Sequence, residues 1–349
     1  LHQIKDAEAK MIVVMDLMYE KVKQAPVEKV IVTSIIEYLP FFKKLLAPLK
    51  MPSPPAIPHS DRTIFFKDVL ELHIPCTSLQ LPKAKPSDTA MLQYTGGTTG
   101  VSKGAELTHK NLCANIQQLQ NRFKNTRAGK EKFLGALPLF HVFAMTVTQN
   151  FCLLIGGAMI LIPDPSKLTL VKKGIQKGAT IIALVPKFYS ALLRECTRED
   201  FASVRYIVSG GAGLPIALSK KFYTEIGKSI IEGYGLTEAS PVTHCNIPEN
   251  PKEGSIGTLV PGTEAKIVDE DGTELQKESD GELWVRGPQV MKGYWHNPEE
   301  TTKVLTSDGW LKTGDMARKD EEGFFYIVDR KKDMILSSAG LNVYPREIE

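Results

Sequence analysis

The sequence predicts an α/β protein with parallel, doubly wound sheets and helices between them, followed by a small antiparallel β-barrel-like subdomain. Two observations support this prediction. Short apolar runs alternate with stretches of helical spacing from residue 11 to residue 234, which is typical of βα units. From about Gly254 onward, short β runs are separated by Gly/Asp turns, which is typical of antiparallel hairpins.

Composition is that of a globular protein, with 42% hydrophobic and 24% charged residues among 349. This length predicts more than one structural unit. A net charge of +3 is too small to indicate nucleic acid as a partner, and no apolar run is long enough to span a bilayer. The cysteines stand far apart, which predicts buried thiols in a reducing, cytoplasmic compartment. They are Cys76, Cys113, Cys152, Cys196 and Cys245.

The chain begins with a strand–helix–strand pattern, predicted over 11–15, 16–24 and 30–33. The following segment, Phe41–Lys50, interleaves apolar residues with Lys43, Lys44 and Lys50. Such a pattern is typical of a helix that lies on a membrane surface. A helix docked on its own domain, with the proline-rich stretch 51–58 as a rigid linker, is an equally good interpretation.

The middle of the chain continues the βα alternation. We predict helices over 109–120, 142–155, 186–196 and 214–226, and strands over 133–137, 158–162, 180–185, 204–209 and 229–234. The helix at 142–155 carries almost no charge and should be buried on nearly all sides, as core or as the lining of an apolar tunnel. Antiparallel strands are predicted over 264–268, 282–286, 310–313 and 324–328.

A glycine-rich loop follows the apolar run Ala90-Met-Leu and carries hydroxyl groups and one lysine. Glycines let successive backbone N–H groups point into one concavity, and a helix capped by Thr108 follows, so the loop predicts a phosphate-binding site. A flexible surface linker is the alternative. The common P-loop is excluded, because the lysine stands three residues after the last glycine instead of directly after it. The candidate residues are Tyr94, Thr95, Gly96, Gly97, Thr98, Thr99, Gly100, Ser102, Lys103 and Gly104.

Four further segments combine turns with polar groups. The turn at 209–215 offers bare backbone on which a flat ring could lie, although Ile216 breaks the dinucleotide-binding glycine pattern and a tight turn is the simpler interpretation. In the segment 233–239, Tyr234 is placed to stack on a base, and the lone carboxylate of Glu238 suits Mg²⁺.

The carboxylate of Asp315, in the Thr-Gly-Asp turn, is placed to bind a ribose diol, and 329–333 forms a charged turn. Singly, each of these charges is more often a solvated surface feature. Together with the glycine-rich loop, they indicate a nucleoside triphosphate with magnesium.

These motifs occur in the order found in the adenylate-forming superfamily, which includes acyl-CoA synthetases, firefly luciferase and peptide-synthetase adenylation domains. The sequence resembles the bacterial long-chain fatty acyl-CoA synthetases most closely within that group. The similarity runs over nearly the whole chain and includes the segments 137–143 and 287–295.

The resemblance implies a role for each candidate residue. Residues Thr95 to Lys103 would hold the β- and γ-phosphates, Thr237 would lie near the α-phosphate, and Glu238 would ligate Mg²⁺. Lys103, Thr237 and Glu238 would thus act in catalysis. Adenine, ribose, the acyl group and the interdomain hinge account for the remaining positions. These are Gly211, Ala212, Gly213 and Tyr234 for adenine, Gly235 for the nucleotide in general, Asp315 and Arg330 for ribose, His141, Val142 and Gly233 for the acyl pocket, and Lys332 for the hinge.

The resemblance also implies an activity: ATP-dependent formation of a fatty acyl-adenylate with release of pyrophosphate, then transfer to coenzyme A. Loading of a carrier protein and non-catalytic nucleotide binding are the alternatives. ATP, Mg²⁺ and coenzyme A are the expected ligands, with peripheral contact at the inner face of the plasma membrane.

The resemblance implies three divisions, with the α/β part of a large domain over 1–253, its β-rich part over 254–329, and a hinge and the start of a lid domain over 330–349. It implies truncation at both ends. The catalytic lysine would lie beyond Glu349, so we expect this chain alone to be inactive.

Overall fold

A computed structural model describes residues 1–50, 52, 55–72, 82–95, 101–330, 335–336 and 342–343. The chain divides into two compact units: the smaller holds Leu1–Ala84 and Gly96–Gly104, and the larger holds Lys85–Thr95 and Ala105–Glu349. Several candidate residues lie outside the described residues, so their predicted roles stay predictions. They are Gly96, Gly97, Thr98, Thr99, Gly100 and Lys332.

The smaller unit is built on a three-stranded parallel sheet in the order β1-β2-β3. Val30 and Val32 of the central strand are fully buried. The helix predicted over 16–24 is a 3₁₀ turn at Asp16–Met18 followed by a single α-helical turn. The elements are α1 (His2–Asp6), β1 (Met11–Met15), α2 (Tyr19–Val22), β2 (Lys29–Thr33), a 3₁₀ turn (Ile35–Tyr38), α3 (Phe41–Lys50), β3 (Thr63–Phe65) and α4 (Phe66–Glu71).

The remaining elements lie wholly or mainly in the larger unit. Its strands are β4 (Thr89–Thr95), β5 (Lys103–Thr108), β6 (Lys132–Gly135), β7 (Ala158–Leu161), β8 (Ile181–Leu184), β9 (Tyr206–Ser209), β10 (Ile231–Gly235), β11 (Val242–Cys245), β12 (Thr258–Leu259), β13 (Glu264–Val268), β14 (Gly281–Arg286), β15 (Gly293–Tyr294), β16 (Leu311–Lys319), β17 (Phe325–Arg330), β18 (Ile335–Leu336) and β19 (Asn342–Val343). Its helices are α5 (His109–Arg122), α6 (Phe151–Leu154), α7 (Leu168–Gln176), α8 (Pro186–Glu195), α9 (Ile216–Ile226) and α10 (Pro298–Val304). Short 3₁₀ turns lie at Glu199–Phe201 and Thr237–Ala239.

A seven-stranded sheet in the order β12-β11-β10-β9-β8-β6-β7 forms the centre of the larger unit. Its strands β6 to β10 are parallel, which confirms the predicted βα units, whereas β11 and β12 run antiparallel at one edge. All four residues of β8 are buried. Ile182 and Leu184 pack with α7, α8 and α9, while Ile181 and Ala183 pack with α5 and α6 on the opposite face. Both faces are therefore covered, as a parallel sheet requires.

The predicted apolar helix at 142–155 is a π-helix over Ala144–Asn150 that continues into α6. Most of the segment is buried, as expected, although Leu153 and Leu154 at its end are exposed. Periodicity over seven residues does not separate a π-helix from an α-helix, so the sequence could not predict this. The buried Thr146 donates a hydrogen bond of 2.7 Å to the carbonyl of Ser240.

The C-terminal part contains the predicted antiparallel sheet, in the order β13-β14-β16-β17. Strands β12 and β15, from the same stretch of chain, pair instead with β11 and β5. Of the charged turn expected at 329–333, Asp329 and Arg330 belong instead to β17 and are paired with β16, whereas residues 331–333 lie outside the described residues. Strands β18 and β19 form a separate antiparallel pair. Among the described residues, no helix is long and apolar enough to cross a membrane.

Two local expectations are corrected by the structure. Strand β5 lies between the glycine-rich loop and α5, which was expected to follow the loop directly. The predicted cap is confirmed, because the Thr108 hydroxyl accepts from the Asn111 N–H and the Asn111 side chain accepts from the Thr108 N–H. Cys113 is exposed, because it lies on the solvent side of α5, whereas Cys152, Cys196 and Cys245 are buried as predicted. Cys76 lies outside the described residues.

The inner face of α5 is unusual because it is polar. Asn115 Nδ2 donates to the carbonyl of Val242 at 2.7 Å, and Gln118 Nε2 donates to the carbonyl of Pro261 at 2.8 Å. Gln118 Nε2 also lies 3.1 Å from Oε1 of Gln289, a fully buried side chain. Buried amides must be hydrogen-bonded to be tolerated, and these cross-links tie α5 to three distant segments.

Candidate functional site

The centre of the candidate site is the tight connection between β10 and β11. The backbone N–H of Leu236 donates to the carbonyl of Pro241 at 3.1 Å and closes the loop. A Cβ on Gly235 would lie 2.1 Å from that carbonyl oxygen, so only glycine fits here. Within the loop, residues Thr237–Ala239 form a 3₁₀ turn, and Ser240 has a φ of 69°. The partly exposed side chains of Thr237 and Glu238 are thus held on a short, closed loop.

Glu238 is held by the segment 287–295, which the sequence analysis noted only as part of the resemblance. Its Oε1 accepts a hydrogen bond of 2.7 Å from the hydroxyl of Tyr294, and its backbone carbonyl accepts one of 2.7 Å from the N–H of Met291. Glu238 is thus the single carboxylate of its loop, as expected, and it is held by a neutral donor. Burial, together with the neighbouring Glu238 charge, raises the pKa of Tyr294, so the phenol keeps its proton and remains a donor.

The segment 287–295 is itself anchored to α5 and β5. Asn111 Nδ2 donates to the carbonyls of Pro288 and Val290 at 2.8 and 2.7 Å. Lys292 Nζ lies 2.7 Å from Oε1 of the buried Glu106, and the Lys292 N–H donates to the Glu106 carbonyl at 3.0 Å. Glu238 is therefore oriented by a rigid framework, as a preorganised site requires.

Tyr234 and Asp315, predicted for base and ribose, are joined directly. The Tyr234 hydroxyl donates a 2.6 Å hydrogen bond to Asp315 Oδ2. On β11, His244 stands opposite Tyr234 in register, and the two rings meet edge to face at 5.8 Å. Asp315 is paired in register with Arg330, so the two residues predicted for ribose occupy neighbouring strands.

His244 is a residue that sequence analysis missed, because all four residues of β11 are buried and show no alternation that would mark one of them. It is fully buried, its Nδ1 lies 2.9 Å from the Thr243 hydroxyl, and its Nε2 finds no hydrogen-bond partner among the described residues. Burial, with some contribution from the charges of Arg122 and Lys319, lowers the pKa of His244 to about 3.

The lowered pKa of His244 predicts that the folded protein loses stability as the pH falls below the ordinary histidine pKa. Between pH 6.5 and about 3 the unfolded chain binds a proton at His244 that the folded chain does not, so stability falls as the pH falls. The expected loss is about 2 kcal/mol at pH 5, at roughly 1.4 kcal/mol per pH unit. Urea unfolding of the wild type and of His244→Gln at pH 7 and pH 5 measures it. Equal losses in the two proteins would contradict the assignment.

Bare backbone surrounds the predicted adenine and acyl positions at the carboxyl ends of β9 and β10. A Cβ on Gly210 would lie 3.2 Å from the Phe143 ring and 3.4 Å from the carbonyl oxygen of Gly233. Gly211 has a φ of 77°, and it is exposed together with Ala212 and Gly213.

Phe143 connects this region to the predicted acyl segment. Its N–H donates to Nδ1 of the exposed His141 at 3.2 Å, while Val142 is buried. The Phe143 ring and the Gly233 carbonyl therefore both lie close to Gly210.

In the smaller unit, the backbone carbonyl of Ser102 lies 3.0 Å from Nε2 of His2. Lys103 is half-buried at the start of β5, and Gly104 follows it. Tyr94 and Thr95, which belong to the larger unit, end β4.

The carboxylates available around Glu238 can be compared with those that Mg²⁺ requires. Over the parts of the chain that the structure describes, no group of three or more His, Cys, Asp or Glu side chains could hold a metal ion. Mg²⁺, however, is commonly bound by one or two carboxylates together with substrate phosphates. The single, oriented carboxylate of Glu238 fits that second arrangement.

The chain is similar in sequence to one family of enzymes. Residues 1–295 match the profile of the AMP-binding enzyme family. The long-chain-fatty-acid–CoA ligase of Bacillus subtilis (strain 168) is 42% identical over 364 aligned positions, which cover all of this chain and 64% of the relative. The ligase of the same name from Yersinia pestis is 47% identical over 274 positions, 77% of this chain and 48% of the relative.

Solved structures give the same result for the fold. ATP-bound MatB from Rhodopseudomonas palustris is 30% identical with a TM-score of 0.79, over 99% of this chain and 64% of that one. The chain thus spans less than two thirds of the length of these relatives. Since the profile match extends over most of the chain and includes the loop that carries Glu238, the chain belongs to the AMP-binding enzyme family.

Proposed function

We propose that the natural protein activates a long-chain fatty acid with ATP, releases pyrophosphate, and transfers the acyl group from the adenylate to coenzyme A. The observation that carries this proposal is the 42% identity, over the whole chain, to a ligase named for that reaction. The Tyr234–Asp315 hydrogen bond supports it, because it joins the base and ribose candidates, and the 3₁₀ turn that carries Thr237 and Glu238 follows the strand of Tyr234 directly.

The chemistry assigns the residues their parts. A carboxylate is a poor nucleophile toward an anionic triphosphate, so the protein must align the reactants and neutralise charge. Tyr234 with Gly211 to Gly213 would hold adenine, Gly235 would also contact the nucleotide, and Asp315 with Arg330 would hold ribose. Thr95 to Lys103 would bind the β- and γ-phosphates, and Thr237 the α-phosphate. Mg²⁺ held by Glu238 would supply charge stabilisation at the phosphates.

An assay of thioester products tests the proposal and its alternative. The natural full-length protein is given ATP, magnesium and fatty acids of graded length, with either coenzyme A or an acyl carrier protein as acceptor. We expect acyl-CoA with coenzyme A and no acylated carrier. Acylated carrier alone would replace the proposal with the carrier-loading alternative. Calorimetry with an acyl-sulfamoyl adenosine covers the third possibility, because a pure ATP-binding protein should not distinguish this compound from one without the acyl chain.

We also propose that α3 contacts an anionic membrane surface, from which a long-chain fatty acid would be drawn. Five large apolar side chains recur at i, i+1, i+4, i+5 and i+8 and so share one face of the helix, which is exposed. They are Phe41 (76% exposed), Phe42 (78%), Leu45 (70%), Leu46 (47%) and Leu49 (82%). Ala47, in contrast, is buried, so the side of the helix that carries this small residue is the one that packs against the protein. Lys43 and Lys44 between the apolar residues complement an anionic surface.

Neutralising the two lysines should weaken binding to phosphatidylserine-containing vesicles. Each lysine near such a surface contributes about 1 kcal/mol, so Lys43→Gln with Lys44→Gln should lower the partition coefficient about 30-fold. Co-sedimentation at low and high salt measures it. The double variant Lys5→Gln with Lys21→Gln, exposed lysines of the same unit, is the matched control. Equal binding by the two double variants would leave α3 with a structural role only.

A further inference from the structure

The hydroxyl of Tyr294 lies in a place that is set independently of Glu238. The Tyr294 ring belongs to a buried apolar cluster that includes Ala105, Leu107 and Met291, and only 8% of the residue is exposed. Because the ring is fixed by packing, the position of its oxygen follows from the fold. The Tyr294 hydroxyl is therefore a fixed donor, and the Glu238 side chain adopts the rotamer that places its Oε1 2.7 Å from this hydroxyl.

The backbone of Tyr294 is fixed as well. Strand β15 pairs with β5 in the register Gly293 to Glu106 and Tyr294 to Ala105. The Tyr294 N–H donates to the hydroxyl of Thr301 at 2.8 Å. The backbone of Tyr294 is thus attached to a sheet on one side and to the middle of α10 on the other.

A neutral phenol has a specific advantage beside a carboxylate that must bind a cation. A lysine or arginine at this position would neutralise the charge of Glu238, whereas a tyrosine donates a charge-assisted hydrogen bond and leaves the negative charge in place. The phenol engages one carboxylate oxygen and so restricts the rotamer of the side chain. Residues that orient a metal ligand in this way typically change metal affinity 10- to 100-fold when they are mutated.

We propose that Tyr294 is a positioning residue for Glu238: its hydroxyl holds the carboxylate in the orientation that receives the magnesium complex of the nucleotide. This inference rests on the proposed function, because it assumes that Glu238 faces the metal. The Met291 N–H, bonded to the Glu238 carbonyl, fixes the backbone of the same residue from the same segment.

Tyr294→Phe tests the proposal in the natural full-length protein, because it removes one oxygen and keeps the ring that packs. We expect the magnesium concentration at half-maximal pyrophosphate exchange to rise about 10-fold or more, with little change in the KM for the fatty acid. A second readout does not depend on turnover: calorimetric affinity for ATP should fall by a similar factor with magnesium present and hardly change with EDTA.

Tyr326→Phe is the matched control. Its hydroxyl donates to Asp320 Oδ2 at 2.9 Å, so it loses the same kind of tyrosine–carboxylate bond at another place in the larger unit. We expect its magnesium dependence to equal that of the wild type. A purely structural role for Tyr294 would lower the melting temperature of Tyr294→Phe while leaving its magnesium dependence unchanged, and that result would overturn the proposal.

A double-mutant cycle separates this inference from the proposed function. If Tyr294 acts through Glu238, Tyr294→Phe should have no further effect on ATP affinity in a Glu238→Gln background. Additive losses would show that Tyr294 acts by another route and would overturn the inference alone. A wild-type protein that binds ATP equally with and without magnesium, and forms no acyl-adenylate, would overturn the proposed function instead.

Discussion

Glu238→Gln is expected to lower the rate of pyrophosphate exchange by about 100- to 1,000-fold in the natural full-length protein, since a lost metal role typically costs several kcal/mol of transition-state stabilisation. The amide is nearly isosteric, and its oxygen can still accept the hydrogen bond from Tyr294, so the fold should be retained. The substitution removes only the negative charge of the side chain, which Tyr294 and the Met291 N–H hold in place.

Glu264→Gln is the control for this prediction. Its carboxylate is exposed and pairs with Arg286 across β13 and β14, so it tests the loss of an ordinary surface charge. We expect exchange at the wild-type rate. Near-normal exchange by Glu238→Gln at ordinary magnesium concentrations would show that the metal is held by other residues.

Gly235→Ala is expected to destabilise the larger unit by about 3 kcal/mol or more, because overpacking against backbone is at the costly end of small-to-large substitutions. The new Cβ would lie 2.1 Å from the carbonyl oxygen of Pro241 and 3.0 Å from the Cα of Val242. Neither atom can rotate away as a side chain would. The loop that carries Thr237 and Glu238 would have to open, so adenylation should be lost together with stability.

Gly233→Ala is the matched control on the same strand. Its Cβ would find its nearest neighbour, the His244 carbonyl oxygen, at 3.4 Å, which is an ordinary contact. Urea unfolding should place this variant within about 1 kcal/mol of the wild type, at the edge of the range for surface substitutions. If the two glycine variants are equally stable, the loop accommodates a side chain that the geometry excludes.

Much of the fold was predictable because its signals are local. The apolar run at 180–185 is short and flanked by helical spacing, and it became β8, buried on both faces. The Gly/Asp turns after residue 254 predicted the antiparallel strands, and β13 has the predicted bounds. Strand β5 was missed, because its last five residues are all buried and the polar Glu106 and Thr108 break both the apolar run and the alternation.

The candidate site was predictable as a set of residues but not as a set of contacts. Tyr234 and Asp315 were assigned to parts of one ligand, and the structure joins them across 81 positions of sequence. No pattern indicated that Tyr294, 56 positions from Glu238, would donate to it. Side-chain hydrogen bonds over such separations depend on tertiary packing, which spacing along the chain does not encode.

The amides of α5 have a consequence for how the protein is made. Asn111 is separated from its acceptor Val290 by 179 residues. At ribosomal rates of about 5–20 residues per second, Asn111 is synthesised roughly 9 to 36 s before that acceptor. During this interval Asn111 Nδ2 is hydrated, although the acceptors of Asn115 and Gln118, at Val242 and Pro261, are synthesised earlier. We therefore expect α5 to be protease-sensitive in nascent chains that end before residue 290, and its full protection to arise late in translation.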